Sequence, residues 1–393
     1  MASSYDVVVV GGGVQGCSTA YFLAANPDFD GSVAVVERDP TYENTPSARA
    51  TGGIRQQFST PENIHIGLFG AYFVKRIEAF LTVDGVAPDI GYREAGYLLL
   101  ANEIALPIMQ GNHRIQREHG ATTMMLDRSG LIDHFPWLNT DGFVGGCFGP
   151  ENEGWCDPYL LLQAFRAKGR ALGVTFIKGE ITALEHDGTR VSSATLDNGE
   201  ALHAGAFVNS AGASGAAKLC AKLDVALPIE SRKRFTFVFD CQAEMPMTPL
   251  TIFPEGLAFR PEGTNFICNL APTPDNDPEC FDYEIDHNDF EERLWPILAR
   301  HVPAFEAIKL RGAWCCHYDL NTFDENAIVG RVDPYANLYV LTGFSGHGMQ
   351  QAPATGRAIS ELITYGEFRA LDLSRLDLSR VAANNPLLET NCY

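Results

Sequence analysis

No apolar run in the 393-residue chain approaches the roughly 18 residues that a membrane-spanning helix needs, which excludes a helical membrane span. Positive charge is scarce. Lys and Arg together number 29 against 49 Asp and Glu, and the net charge of −20 argues against nucleic acid or an anionic membrane surface as partner. The ten cysteines are scattered, and none forms a CxxC pair or a metal-ligand spacing. Cys17, Cys147, Cys220 and Cys241 therefore read as small buried apolar residues of a reducing compartment. No basic, apolar leader precedes the first strand-like run at Tyr5, and Asn391-Cys392-Tyr393 is not a peroxisomal tripeptide. A cytoplasmic location is the expectation. Hydrophobic residues make up 46% of the chain, enough to fill the core of a large α/β protein.

What is present is concentrated near the N-terminus. Tyr5-Asp6-Val7-Val8-Val9-Val10 reads as a buried strand and runs into Gly11-Gly12-Gly13-Val14-Gln15-Gly16, then into a helical stretch ending near Ala25. A second apolar strand, Ser32 to Val36, ends on Glu37. This is the strand, G-x-G-x-x-G turn, helix and acidic residue of a dinucleotide site. Gly11 permits the tight turn, Gly13 admits a pyrophosphate to the backbone, and Gly16 lets helix and strand pack closely. The pyrophosphate sits at the positive end of the helix, with Glu37 on the ribose hydroxyls.

A second strand–glycine–helix sequence lies near the C-terminus, Tyr339-Val340-Leu341-Thr342-Gly343-Phe344-Ser345-Gly346-His347-Gly348-Met349-Gln350. Its backbone N–H groups offer a second place for something anionic or carbonyl-rich. A mononucleotide half-site has no use for it, whereas an extended flavin dinucleotide does, so FAD is preferred to NAD.

Four blocks now stand in order: the N-terminal fingerprint; Thr51-Gly52-Gly53-Ile54-Arg55-Gln56-Gln57-Phe58; Val208-Asn209-Ser210-Ala211-Gly212-Ala213; and Gly343-Phe344-Ser345-Gly346-His347-Gly348. With these the chain resembles the D-amino-acid oxidase superfamily of FAD-dependent amine oxidoreductases, in the branch holding monomeric sarcosine oxidase, dimethylglycine dehydrogenase and glycine oxidase. The Gly-Gly-Ile-x-Gln-Gln-Phe-Ser stretch and Tyr318 to Asp324 are most similar to FAD-dependent oxidoreductase-domain proteins related to a complex I assembly factor. The resemblance implies an α/β fold, a Rossmann-like FAD-binding domain interleaved with an α+β substrate domain built on an antiparallel sheet. The FAD domain is expected over 1–85, 150–225 and 325–385, and the substrate domain over 86–149 and 226–324. It also implies that the cofactor contacts Gly11, Gly13, Val14, Gln15, Gly16, Glu37, Arg38, Ser47, Ala50, Thr51, Gly52, Ile181, Ala211, Gly212, Gly343, Gly346, His347, Gly348, Met349 and Gln350. Cys316 aligns with the cysteine that sarcosine oxidases bond to the flavin, but the relatives sharing Gln-Gln-Phe have glycine there, so a non-covalent flavin is the expectation.

Flavin oxidation of an amine requires the neutral amine. With a pKa near that of Lys, about 10.4, deprotonation at pH 7 costs about 4–5 kcal/mol unless the site shares it. An apolar pocket containing a cation meets that need better than a strong base. Arg55, in the loop that passes the flavin ring in this family, and His347, after the second glycine turn, are the candidate catalytic residues. Arg55, Phe259, Arg260 and Gln350 are the candidate substrate contacts, Phe259 as a wall where sarcosine oxidases have tyrosine. Arg260 has a second reading, an ion pair with Glu255 or Glu262, and the basic cluster Arg232-Lys233-Arg234 reads as a solvated strand edge, with substrate contact as its alternative. Gln350 stands where sarcosine oxidases carry a carboxylate-binding lysine, and no lysine occurs in Phe266-Ile267-Cys268-Asn269, where their oxygen-activating lysine falls. The expected reaction is oxidation of the C–N bond of a small N-substituted amino acid, with O2 as acceptor. A dehydrogenase using a protein or quinone acceptor, and a non-catalytic flavoprotein of assembly-factor type, are the alternatives.

Overall fold

The computed structural model describes residues 3–390; the C-terminal tripeptide Asn391-Cys392-Tyr393 lies outside them. Two eight-stranded sheets form the frame. In the first, Ser3–Val10 runs parallel to Ala201–Asn209 on one side and to Val33–Glu37 on the other, with Thr175–Lys178 beyond. Leu338–Thr342 extends it in parallel past Ala201–Asn209. The Val-rich strands are buried on both faces, as parallel strands flanked by helices must be. The helices Val14–Ala25 and Gly348–Tyr365 pack together on one face, joined where the Ser18 hydroxyl donates to the Ala352 carbonyl at 2.7 Å.

The second sheet has Ile308–Asn321 at one edge and Met124–Asp127 at the other. It is antiparallel except where Leu250–Ile252 runs parallel to Tyr97–Ala101. Side chains alternate across it. Phe237, Phe239, Phe259 and Phe266 enter an aromatic core with Phe253, Phe290 and Phe305. Thr236, Ala258, Arg260 and Ile267 belong to the wall of a large cleft against the first sheet. The expected α/β architecture is therefore present. A short antiparallel pair, Gly53–Ile54 with Gly154–Trp155, connects the two halves and leads directly into Arg55. Among the described residues, no helix is long and apolar enough to cross a membrane, and all nine cysteines are unpaired.

The end of the chain returns to this frame. Arg380 donates to both oxygens of Asp324, at 2.7 and 2.9 Å, and Asp324 also accepts from the N–H of Leu387 at 3.0 Å. Both partners of this pair are buried, so neither charge has water to fall back on. Asp324→Ala should therefore lower unfolding free energy by about 3–5 kcal/mol, measured by chemical denaturation. A loss below about 1 kcal/mol would show that the pair is replaceable.

Candidate functional site

A cleft of about 680 Å³ runs between the two sheets. Its nucleotide end is built by the first glycine turn. Gly11 has φ +97°, and a Cβ there would fall 2.4 Å from the Ser210 carbonyl oxygen. Gly16 faces away from the cleft; a Cβ on it would meet the Gly11 carbonyl oxygen at 1.9 Å, so its role is close helix–strand packing. Gly13, Val14 and Gln15 line the cleft, where the first-turn N–H groups of a helix have no carbonyl to bond. One of them is already used, since Val14 N–H donates to the Ser47 hydroxyl at 2.9 Å.

Glu37 ends the second strand beside this turn. One of its oxygens accepts the Gly12 N–H and the other the Asp39 N–H, each at 2.8 Å, which fixes the carboxyl while it lines the cleft. Burial raises its pKa above the usual carboxylate value, opposed by these two hydrogen bonds. Arg38 donates to the Ser214 hydroxyl at 2.7 Å on the exposed rim. Ala211 and Gly212 line the cleft, whereas Ile181 is packed in the core of the first sheet and its neighbour Glu180 lines the cleft instead.

The other end is made by the second glycine turn and the Ala50–Arg55 loop. Gly346, His347, Gly348, Met349 and Gln350 line the cleft together with Ala50, Thr51 and Gly52. Gly343 is buried beneath them, its N–H given to Asp319 at 2.6 Å. Gln15 ties the two turns together: its amide donates to the Gly348 carbonyl at 2.7 Å and accepts from Thr355 at 2.9 Å.

Arg55 is 3% exposed. Its backbone N–H donates to the Gln350 side-chain oxygen at 2.7 Å, and its guanidinium donates to His347 Nε2 at 2.9 Å. The guanidinium carbon lies 4.6 Å from the Phe58 ring centroid and 5.8 Å from that of Tyr97. Burial first, and the Arg55 charge second, bring His347 down to about 3. The imidazole is therefore neutral at physiological pH, with Nε2 as the acceptor. Arg55, His347 and Gln350 are thus brought into one contact.

Arg260 and Phe259 are placed otherwise. Arg260 lines the cleft, but its Nε and Nη2 donate to the Thr51 carbonyl at 2.9 and 2.6 Å, and its Nη1 bonds Glu262 and the Pro261 carbonyl. Its guanidinium supports the Thr51 loop and pairs with Glu262, the second of its two readings. Phe259 lines the cleft, and its ring packs into the aromatic core against Phe253 and Phe305. Cys316 lines the cleft. Arg232, Lys233 and Arg234 are not simply solvated: Arg234 is bidentate to Asp277, at 2.7 and 2.8 Å, and Lys233 pairs with Asp282 at 2.7 Å.

Sequence reasoning did not find Arg49, Tyr97 or Glu153. The first two line the cleft, as does Arg234 of the basic cluster. Arg49 donates to the Cys315 carbonyl at 3.0 Å, a partner in a distant strand that no local pattern signals. The partner of Arg234 comes from the Asp-rich loop after Ala271, which alone offered a clue.

The chain matches the family described as FAD dependent oxidoreductase (DAO) over residues 6–362. It is 40% identical to FAD-dependent oxidoreductase domain-containing protein 1 of Xenopus laevis, over 98% of this chain and 84% of that protein. It is 22% identical to monomeric sarcosine oxidase of Bacillus sp. (strain NS-129), over 97% of this chain and 98% of that one. L-proline dehydrogenase from P. horikoshii shares the fold with a TM-score of 0.86 at 22% identity, covering 98% of this chain and 100% of that one.

The residues present fit FAD: a side-chain-free turn at a helix start, a fixed carboxylate beyond it, and a second glycine turn at the far end of one continuous cleft. Glu37→Ala should weaken FAD binding by about 1.5–3 kcal/mol, roughly 10–150-fold in Kd, measured by fluorescence titration of the apoprotein. Unchanged affinity would remove Glu37 from the site. With this cleft and a match spanning most of its length, the chain belongs to the FAD dependent oxidoreductase family.

Proposed function

We propose that the protein oxidises the C–N bond of a small secondary amino acid, an N-alkyl- or N-carboxymethylglycine, and that O2 takes the electrons. The observation that carries this reading is the contact between buried Arg55 and neutral His347 on the cleft wall. A guanidinium is a cation at any physiological pH, and a carboxylate is the anion its fork fits best. Gln350, fixed by the Arg55 N–H, adds a side-chain amide at the same place. Tyr97, Leu250 and Ile252 form an apolar wall that limits water around the bound amine. Cationic Arg55 lowers the amine's pKa, and so holds more of it in the neutral form that releases hydride. Bound in the cleft, FAD supplies the two-electron acceptor for a hydride leaving the carbon beside the amine nitrogen. The imine formed from the substrate is then hydrolysed by water. Proline and sarcosine, for which two of the related proteins are named, are both secondary amines bearing a carboxylate.

A second reading differs only in the acceptor. The strand Asn265–Asn269 contributes Ile267, Cys268 and Asn269 to the cleft lining, and no cation. A dehydrogenase delivering electrons to a protein or quinone is the alternative that this feature supports.

Anaerobic mixing with N-methylglycine, N-carboxymethylglycine and proline separates these readings. Bleaching of the flavin by one of them is the expected result, and the rate of return of colour in air distinguishes oxidase from dehydrogenase. No bleaching by any would favour the non-catalytic alternative. On whichever compound bleaches, Arg55→Ala should lower kcat/KM by roughly 10–150-fold, from the loss of about 1.5–3 kcal/mol of charge-assisted bonding. Arg55→Lys should restore only part of it. A mutant equal to wild type in steady-state kinetics would point to an amine without a carboxylate.

The flavin is proposed to be held without a covalent bond. Burial pushes the Cys316 thiol up to about 12, and a thiol kept protonated is a poor nucleophile. Acid-precipitated protein should give a colourless pellet. A yellow pellet that Cys316→Ser makes colourless would contradict this.

A further inference from the structure

Between the strand Asn265–Asn269 and Phe290 the chain carries only one short helical turn, Pro274–Asn276. Connections longer than about 12–15 residues without regular structure are uncommon in compact folds and are usually functional. This one is rooted on the second sheet. Asp277 holds the Arg234 fork, and the Cys280 N–H donates to the Ser231 carbonyl at 2.9 Å. Lys233 donates to Asp282 at 2.7 Å and to the Glu284 carbonyl at 3.1 Å. Ser231, Lys233 and Arg234 all belong to the strand Ile229–Cys241, so charge and backbone bonds fasten the loop along one strand. Its start is tied down as well, where Arg293 donates to the Ala271 carbonyl at 3.2 Å.

The tip of the loop reaches the nucleotide half of the cleft. The Tyr283 hydroxyl donates to the Asn44 carbonyl at 3.0 Å, and the Arg49 guanidinium carbon lies 5.4 Å from the Tyr283 ring centroid. The Lys218 ammonium lies 4.4 Å from the ring centroid of Phe281. Asn44 and Arg49 flank Ser47, which binds the Val14 N–H at the first glycine turn. Lys218 stands on the helix Gly212–Ala221, whose start lines the cleft. Phe281 and Tyr283 line the cleft too, yet keep 46% and 40% of their surface exposed. The loop therefore crosses the cleft mouth, from the second sheet to the elements that build the nucleotide end. Ion pairs hold its root. Among the described residues, one neutral hydrogen bond and two cation–π pairs join its tip to the far side, and contacts of these kinds are individually weak.

We propose that residues 271–283 are a strap that gates the dinucleotide: FAD enters and leaves when Phe281 and Tyr283 lift from Asn44, Arg49 and Lys218, while the root on Lys233 and Arg234 stays attached. This rests on FAD as the ligand of the cleft, and it holds whichever amine is oxidised. A cofactor extended from Glu37 to the second glycine turn lies beneath the strap, so its exchange needs the mouth to open. A gate has a kinetic signature that a ligand contact lacks. Loosening a gate raises the rates of entry and release by the same factor and leaves the equilibrium nearly where it was. Removing a contact to the bound molecule speeds release alone and weakens the equilibrium.

FAD itself is the probe. Release is followed as the rise of flavin fluorescence when FAD-loaded protein is diluted, and entry as its fall when apoprotein is mixed with FAD. Y283F removes the hydroxyl that meets Asn44 and keeps the ring, whereas F281A/Y283A also removes both cation–π faces. Y283F should speed entry and release alike by roughly 2–10-fold, the weight of one neutral hydrogen bond. The double variant should speed both further, with Kd changed by less than about threefold. Y283F deletes a single oxygen from a partly exposed side chain, so it tests the strap without depending on the fold of the double variant. Glu37→Ala is the contrast, since it should speed release alone and weaken Kd. Rates equal to wild type in Y283F, and in the double variant where it folds, overturn the proposal. A Kd that weakens at an unchanged entry rate also overturns it, by making Phe281 and Tyr283 ligand contacts. Protein that takes up no FAD removes the cofactor reading instead, and the strap with it.

Discussion

A guanidinium almost fully out of water must be compensated by what surrounds it, and the surroundings of Arg55 organise the cleft. Three separate stretches of chain converge on it. The second glycine turn supplies His347 and Gln350, the loop itself supplies the Phe58 ring, and the turn before Trp155 supplies Glu153. Each contact fixes a different degree of freedom. Gln350 holds the backbone, His347 the guanidinium, and Glu153 the chain leaving toward Gln57. Displacing any one of them would remove part of the compensation of a buried cation, so the arrangement is expected to be stiff.

That stiffness depends in turn on the frame. The two glycine turns belong to distant parts of the chain, yet the single amide of Gln15 bonds the start of one helix to the start of the other. The nucleotide end and the reactive end of the cleft are thereby held at a set distance, which an extended dinucleotide requires. On the opposite wall the sheet is kept in place by an aromatic core behind it, and Arg260 joins that wall to the Thr51 loop. The overall charge of −20 repels a small anion, so affinity for one has to be built locally, from Arg55 and its cationic neighbours.

Much of the fold and the cofactor cradle is legible in the sequence because both are local patterns. A strand, a glycine turn, a helix start and an acid about 20 residues on lie within one stretch of chain, and the turn near Gly346 repeats the pattern. The wall opposite is less legible. Arg260 can be read from sequence either as a substrate anchor or as a partner of Glu262, and only the approach of the Thr51 carbonyl decides what its donors meet. Phe259 sits at a position that alternation allows on either face, and its ring joins the core. Glu153 was invisible: hydropathy assigns a glutamate in a turn to solvent, and nothing near it in the sequence reveals the amides of Gln56 and Gln57 that bury it. Residues whose partners are set by tertiary approach leave no periodic mark.

The central claim is that Arg55 receives the carboxylate of the bound molecule. A crystal structure of the FAD-loaded protein with N-methylglycine bound under anaerobic conditions, or with acetate in its place, tests it most directly. The account predicts a carboxylate oxygen within about 3.2 Å of an Arg55 guanidinium nitrogen, in hydrogen-bond range. A carboxylate bound instead at Arg234 or Arg49, with Arg55 still turned onto His347, would contradict it.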